Sequence, residues 1–247
     1  EIHGAGPATR HEMRGLACWT AAALDKAKRH PDPGARQRQQ RFVDIMTPVV
    51  KAWCTDQAVD IASTGMQVHG GLGYIEDTGA AQYLRDARIT TIYEGTNGIQ
   101  ANDLAGRKVI ADGGETAREL LAHMKATAAA GPVPDGMAAL LAEAFFALEA
   151  ATTHIVTTAS ADPEGAAAVA VPYLDLFGTT VAGWLMLRGA SHASAALAGG
   201  AEDTAYFEGR IASARFFFEH FLVRAAVLSR IVIAGGECVS GASIDLL

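Results

Sequence analysis

The sequence is poor in cysteine. Only Cys18, Cys54 and Cys238 occur in 247 residues, odd in number and far apart. That spacing excludes a disulfide framework and a CxxC metal knuckle, and it fits a reducing, cytoplasmic setting. No histidine among the eight has a ligand-like neighbour spacing, so no metal site is expected. Basic residues are also short, with 20 Lys plus Arg against 27 Asp plus Glu and a net charge of −7. A protein that binds phosphate backbones needs a basic surface to release counterions, so nucleic acid is excluded as a first expectation. The most apolar stretch, residues 165–187, is broken by Pro172 and Asp175 and falls short of about 18 uninterrupted apolar residues; a soluble chain without a membrane span is expected. No basic-then-apolar leader opens the chain, which starts at Glu1, and the natural polypeptide is expected to begin upstream. Internal repeats and low-complexity tracts are lacking too.

Half of the residues are apolar, enough for a real core. Charge is unevenly placed. The first 125 residues hold 15 acidic and 15 basic side chains and every lysine, while the rest hold 12 acidic and 5 basic. This shift, with the Pro/Gly hinge at Gly131, Pro132, Val133 and Pro134, predicts two regions, residues 1–130 and 135–247. Apolar residues recur at spacings of three and four, and alternation of period two is scarce, so the expected class is all-α: an up-and-down helical bundle followed by a further helical region.

In the first helix Met13, Leu16, Thr20 and Leu24 share a face, and His30, Pro31 and Gly34 end it. A second begins near Ala35. Thr47 and Pro48 read as an N-cap and first helical residue, starting a new helix that carries Trp53 and Ile61 and ends near His69. A shorter helix is predicted over residues 77–89, and Thr96 is placed to cap another that runs through Leu104 and Val109. Beyond the hinge, Asp135 is the candidate cap of a helix through Leu141 and Ile155. A second helix carries Leu174, Phe177 and Trp184. A third keeps one seam from Phe207 to Val232 until Gly235 and Gly236 stop it. Phe216, Phe217, Phe218 and Phe221 sit at helical spacing and read as core before pocket.

Residues 65–108 depart from ordinary amphipathic design. Gly70, Gly71 and Gly73 cluster between two helices, where a simple turn needs one glycine. Glycine lets backbone approach a ligand and lets successive N–H groups face an anion, although GGLG is neither a GxGxxG fingerprint nor a P-loop, and a plain interhelix loop is the competing reading. Glu94 lies between Tyr93 and Gly95 after the apolar run at residues 89–92. Lodged between an aromatic ring and that run, a carboxylate would lose solvation, its pKa would rise, and it would become a better base. The competing reading is a solvent-facing Glu at a turn.

The run at residues 67–74 (QVHGGLGY), the RDAR at 85–88 and above all IYEGTNGIQ at 92–100, in that order and spacing, closely resemble the C-terminal signature of the FAD-dependent acyl-CoA dehydrogenases. With LAGRK following, the chain resembles the extended branch that includes the 3-methylmercaptopropionyl-CoA dehydrogenases, in which another helical region follows the dehydrogenase body. The resemblance covers residues 10–130 strongly and the tail weakly. It implies that Glu94 removes a proton α to a thioester while the β carbon passes hydride to FAD. The thioester oxygen would accept a hydrogen bond from the Glu94 backbone N–H, with Tyr93 and Gly95 against the substrate. It places Gln67, Gly70, Gly71, Thr96 and Gly98 at FAD-binding positions, FAD being often held mainly by a neighbouring subunit.

There are departures from the family pattern. Many members carry Gln where this chain has Gly98, so either Asn97 substitutes for that adenine contact or the contact is absent. Arg85 and Asp86 read as a structural ion pair. Nothing here resembles the family's N-terminal helical domain or its middle β-domain, so the chain alone would have the base but part of the pocket. The implied partners are an acyl-CoA, an electron-transfer flavoprotein or other acceptor, and further copies in a homodimer or higher homo-oligomer. An acyl-CoA oxidase, or a catalytically silent helical assembly module, are the alternatives.

Overall fold

The computed structural model describes residues 2–128, 133, 134, 136–236 and 239. Cys238, Asp135, Gly131 and Pro132 lie outside the described residues. No strand occurs among those described, and the all-α expectation holds.

Helix α1 (Ile2–Arg29) is followed by α2 (Pro33–Val68), whose N-cap Asp32 accepts from the N–H groups of Gly34 and Ala35. The predicted start at Thr47 is wrong, because α2 runs for 36 residues straight through Pro48. Proline inside a helix costs about 3 kcal/mol. Against that, Ile45, Met46, Val49 and Trp53 on either side are each at most 2% exposed, and burying one such side chain contributes about 1.5–3 kcal/mol. A continuous buried stripe therefore outweighs the local defect, and Thr47 serves as an interior residue whose Oγ1 donates to the Val43 carbonyl.

Next come α3 (Gly71–Tyr74), a 3₁₀ turn (Glu76–Thr78), α4 (Ala80–Thr90) and α5 (Asn97–Asn102), the last capped by Thr96 as expected. The helix expected to reach Val109 widens into a π-helix over Asp103–Ile110. Its i→i+5 pattern brings Leu104 and Val109, both fully buried, to the same core. Helix α6 (Glu115–Ala128) precedes α7 (Met137–Thr158), where Gly136, with φ of 81°, is the residue at the N-cap. Then follow α8 (Pro163–Ala168), α9 (Ala170–Ala198), α10 (Thr204–His220) and α11 (Ala225–Ala234).

The single seam expected from Phe207 to Val232 is broken by a 3₁₀ turn at Leu222–Arg224. Leu222, 1% exposed, packs onto Gly183 of α9, where a Cβ would lie 2.7 Å from its Cδ1. Seating that leucine is what the break accomplishes. Of the four phenylalanines expected in the core, Phe217 and Phe218 are buried there, Phe221 is half-buried against it, and Phe216 is half-buried outside it.

One hydrophobic core joins the two regions. The Trp53 ring lies over Gly178 of α9, and its Nε1 donates to Thr179 Oγ1 at 3.3 Å. Trp184 of α9 donates to Thr127 of α6 and meets Trp19 of α1 edge to face. By length and mean hydropathy two helices among the described residues, Met137–Thr158 and Ala170–Ala198, are apolar enough to cross a membrane. A hydropathy average tolerates Pro172 and Asp175. The apolar window of Ala170–Ala198 is 78% buried against its neighbours, which is how the centre of a folded helical core behaves.

Candidate functional site

The candidate residues fall into two loops at opposite ends of α4. Helix α4, eleven residues at 1.5 Å each, is about 16 Å long.

The glycine loop follows the C-terminus of α2. Gln67 is exposed in the last turn, and its carbonyl accepts from Gly70 N–H at 3.1 Å. Gly70 has φ of 60° and ψ of −143°, a conformation open to glycine. Gly73 is buried, and a Cβ there would lie 2.1 Å from the Met66 carbonyl oxygen. Two of the three glycines are thus explained by the fold. Gly71 is exposed, has no positive φ, and a Cβ on it would meet nothing within 4 Å. The fold leaves its identity unexplained. A groove of about 670 Å³ opens beside this loop, walled by Met13, Ile61, Met66 and Tyr83 with Arg10 and His69 at its polar points.

The second loop joins α4 to α5 and is closed by a hydrogen bond from Asn97 N–H to the Thr91 carbonyl at 3.1 Å. Within it Glu94 takes φ of 53°, the one left-handed non-glycine among the described residues, and Gly95 follows at 87°. Gln100 Nε2 donates to the Glu94 carbonyl at 3.3 Å, and Thr96 Oγ1 accepts from Ile99 N–H at 3.4 Å. Tyr93, Glu94, Thr96 and Gly98 are exposed and Gly95 is half-buried. The expected lodging of Glu94 between Tyr93 and the apolar run does not occur within this chain: the carboxylate faces outward, so any desolvation must come from something laid over it.

The surface around it is suited to being covered. Of the seventeen large apolar side chains that are exposed among the described residues, nine fall between residues 68 and 99, including Leu72, Tyr74, Tyr83, Ile92 and Tyr93. Exposed apolar side chains at such density are characteristic of interaction surfaces.

Sequence reasoning missed what anchors the Glu94 loop. Asn97 Oδ1 accepts from Lys51 Nζ at 2.8 Å, while its Nδ2 faces the Ala52 carbonyl, Thr55 Oγ1 and, at 2.7 Å, Asp56 Oδ1. With its amide engaged on α2, Asn97 is not available for the cofactor contact expected of it. Burial pulls the Lys51 ammonium below its ordinary pKa, opposed by Asp56 and Glu94. Burial likewise pushes the Asp56 carboxyl up, opposed by the Asn97 hydrogen bond. No sequence signal pairs Asn97 with a helix face more than forty residues upstream.

Arg85 and Asp86 do not pair with each other. Neighbours on a helix point apart, and both engage Gln82, one turn earlier, while Arg85 also reaches Glu76 at 3.4 Å. Cys18 and Cys54 are free thiols, and burial pushes Cys54 up to about 12. Among the described residues no cluster of three or more His, Cys, Asp or Glu could hold a metal.

Comparison with known proteins places this arrangement. Residues 6–109 match the family model for the acyl-CoA dehydrogenase C-terminal domain, and residues 120–242 match that for the acetyl-CoA dehydrogenase C-terminal-like region. The chain belongs to the acyl-CoA dehydrogenase family. It is 43% identical over 232 residues to 3-methylmercaptopropionyl-CoA dehydrogenase of Ruegeria pomeroyi, covering 92% of this chain and 39% of that protein. It is 33% identical over 222 residues to the broad-specificity linear acyl-CoA dehydrogenase FadE5 of Mycobacterium tuberculosis, covering 85% and 36%. The chain therefore spans less than half the length of either relative. Two solved structures share the fold: ACDH-11 of Caenorhabditis elegans in complex with C11-CoA (TM-score 0.59, 24% identity, 92% of this chain and 37% of that one) and an acyl-CoA dehydrogenase of Bacillus anthracis complexed with FAD (TM-score 0.63, 14% identity, 99% and 42%).

Proposed function

We propose that this acyl-CoA dehydrogenase family chain supplies the proton-abstracting carboxylate, Glu94, and part of the FAD and thioester pocket for α,β-dehydrogenation of an acyl-CoA. The observation that carries the proposal is the Glu94 loop itself. A left-handed carboxylate-bearing residue, followed by a glycine without a side chain to obstruct an approach, is held at the edge of an exposed apolar face.

The residues present fit FAD. Gly71 and Gly98 are exposed glycines on which a Cβ would meet no close neighbour within the chain, so they leave room for a ligand, and Gln67 and Thr96 offer polar groups beside them. FAD supplies the acceptor for the hydride leaving the β carbon. Glu94 takes the α proton. The Glu94 backbone N–H donates to the thioester oxygen as negative charge develops there, a stabilisation that acts in the transition state. Tyr93 and Gly95 border the acyl group. Covering the apolar face would exclude water and give the carboxylate the desolvation that this chain alone does not provide. The proposed partners are an electron-transfer flavoprotein or other acceptor and further copies in a homo-oligomer, in a cytoplasmic setting.

The full-length protein, mixed anaerobically with acyl-CoA, should bleach its bound flavin, and a flavin unaffected by any acyl-CoA would refute the proposal. Rapid oxygen consumption would instead assign an oxidase. The outward-facing Glu94 favours a second reading for the chain by itself, a helical assembly module without catalysis. Equilibrium dialysis of FAD against the isolated chain separates the two readings, since tight stoichiometric binding contradicts a silent module.

A further inference from the structure

We propose that Asn97 is the positioning residue for the Glu94 base, clamping residues 91–97 onto α2 through Lys51, Thr55 and Asp56; this rests on the reading of Glu94 as base. A non-glycine residue in the left-handed region persists where its surroundings over-determine it. Asn97 supplies that determination from both directions. Its backbone N–H closes the loop on the Thr91 carbonyl at 3.1 Å. Its side chain joins the loop to α2, where residues 51, 52, 55 and 56 share one helical face.

Both ends of the amide are engaged. Its two N–H donors face the Ala52 carbonyl, Thr55 Oγ1 and Asp56 Oδ1, and its carbonyl oxygen accepts from Lys51 Nζ, while the Thr55 hydroxyl donates to the Lys51 carbonyl. Of the partners Ala52 is buried, Lys51 and Thr55 are half-buried and Asp56 is exposed, and the Asn97 side chain is half-buried itself. Thr91, the other end of the loop, is 7% exposed and bonds Arg88 through its Oγ1. Both feet of the loop are thus fixed while its tip, Tyr93 and Glu94, stays exposed. Taking a proton from carbon demands a short, aligned approach, and a displacement of 1 Å costs on the order of 10²-fold in rate.

The test uses the full-length FAD-loaded protein, single-turnover flavin reduction at saturating acyl-CoA, and hydrogen exchange of the peptide spanning residues 91–97. Asn97→Ala should slow reduction about 10²-fold, far out of proportion to any loss of acyl-CoA affinity or FAD content, and speed exchange in that peptide. Lys51→Met removes one donor to Asn97 and should give a smaller loss of the same kind, which keeps the proposal open to refutation if Asn97→Ala does not fold. Added to Glu94→Gln, Asn97→Ala should cause no further loss, because it acts through that carboxylate. The proposal is overturned if Asn97→Ala reduces its flavin at the normal rate while Glu94→Gln does not, if its loss adds in full to that of Glu94→Gln, or if exchange is unaltered. A normal rate in Glu94→Gln overturns the base assignment, and the positioning role with it.

Discussion

Gly71 and Gly73 make opposite predictions from positions two residues apart. A Cβ at Gly73 would lie 2.1 Å from the Met66 carbonyl oxygen and 2.9 Å from His69 Cβ, and its nearest neighbour is backbone that cannot rotate away. Ordinary contact begins more than an ångström further out, so Gly73→Ala must push α3 off the end of α2. Overpacking of this kind costs about 1–3 kcal/mol, and in a chain of this size each kcal/mol lowers the melting temperature by about 2–4 °C. At Gly71 an added Cβ meets nothing within 4 Å and the backbone is not left-handed. Gly71→Ala should leave the chain as stable as before, or stabilise it by about 0.4–1 kcal/mol through the unfolded state. If Gly71 is glycine for the sake of FAD, the same variant of the full-length protein should lose FAD on gel filtration, a tenfold weaker affinity corresponding to about 1.4 kcal/mol. Thermal melts of the chain and FAD content of the full-length protein check both halves. Unaltered stability in Gly73→Ala would refute the steric argument, and full FAD retention in Gly71→Ala would remove Gly71 from the cofactor site.

Other outcomes follow from the core. In Gly178→Ala the new methyl would sit 2.4 Å from the buried Trp53 ring, and melting should fall by an amount equivalent to about 1–3 kcal/mol, read by denaturant titration. Tyr173→Phe removes the bond between the Tyr173 hydroxyl and Thr152 Oγ1; Thr152 keeps its bond to the Leu148 carbonyl, so the expected cost is about 1 kcal/mol. Burial raises the Asp175 carboxyl above its ordinary 3.8, opposed by the Thr179 hydrogen bond. A raised folded-state pKa gives stability that is present below the ordinary value and lost as pH climbs through the folded one. Wild type should therefore lose stability relative to Asp175→Asn as pH rises from the ordinary carboxylate range, and melting temperatures that run parallel with pH would contradict the burial argument.

What could be read in the sequence was what depends on neighbouring residues. Thr96 caps α5, α2 ends at His69 and α11 ends at Gly235 because each signal lies within a turn of the structure it specifies. Helix α8, six residues behind the Asp162 cap, is too short to display an apolar period in the sequence. Pro48 misled because a local helix breaker was outweighed by burial against distant helices. The seam through Phe221 misled because Leu222 answers to Gly183, thirty-nine residues earlier. At the site, the residue types of the Glu94 loop were legible as a signature, while its outward orientation and its attachment to Lys51, Thr55 and Asp56 are long-range facts. A carboxylate flanked by apolar residues in sequence is not thereby buried; what encloses it must be supplied in space.

Removal of the α proton by Glu94 is tested by flavin reduction in a variant that lacks the carboxylate alone. In the full-length protein Glu94→Gln keeps the size and backbone of the residue but cannot accept a proton from carbon. Stopped-flow mixing with acyl-CoA should find FAD bound in normal amount and its absorbance unbleached. Bleaching at the wild-type rate would contradict the account.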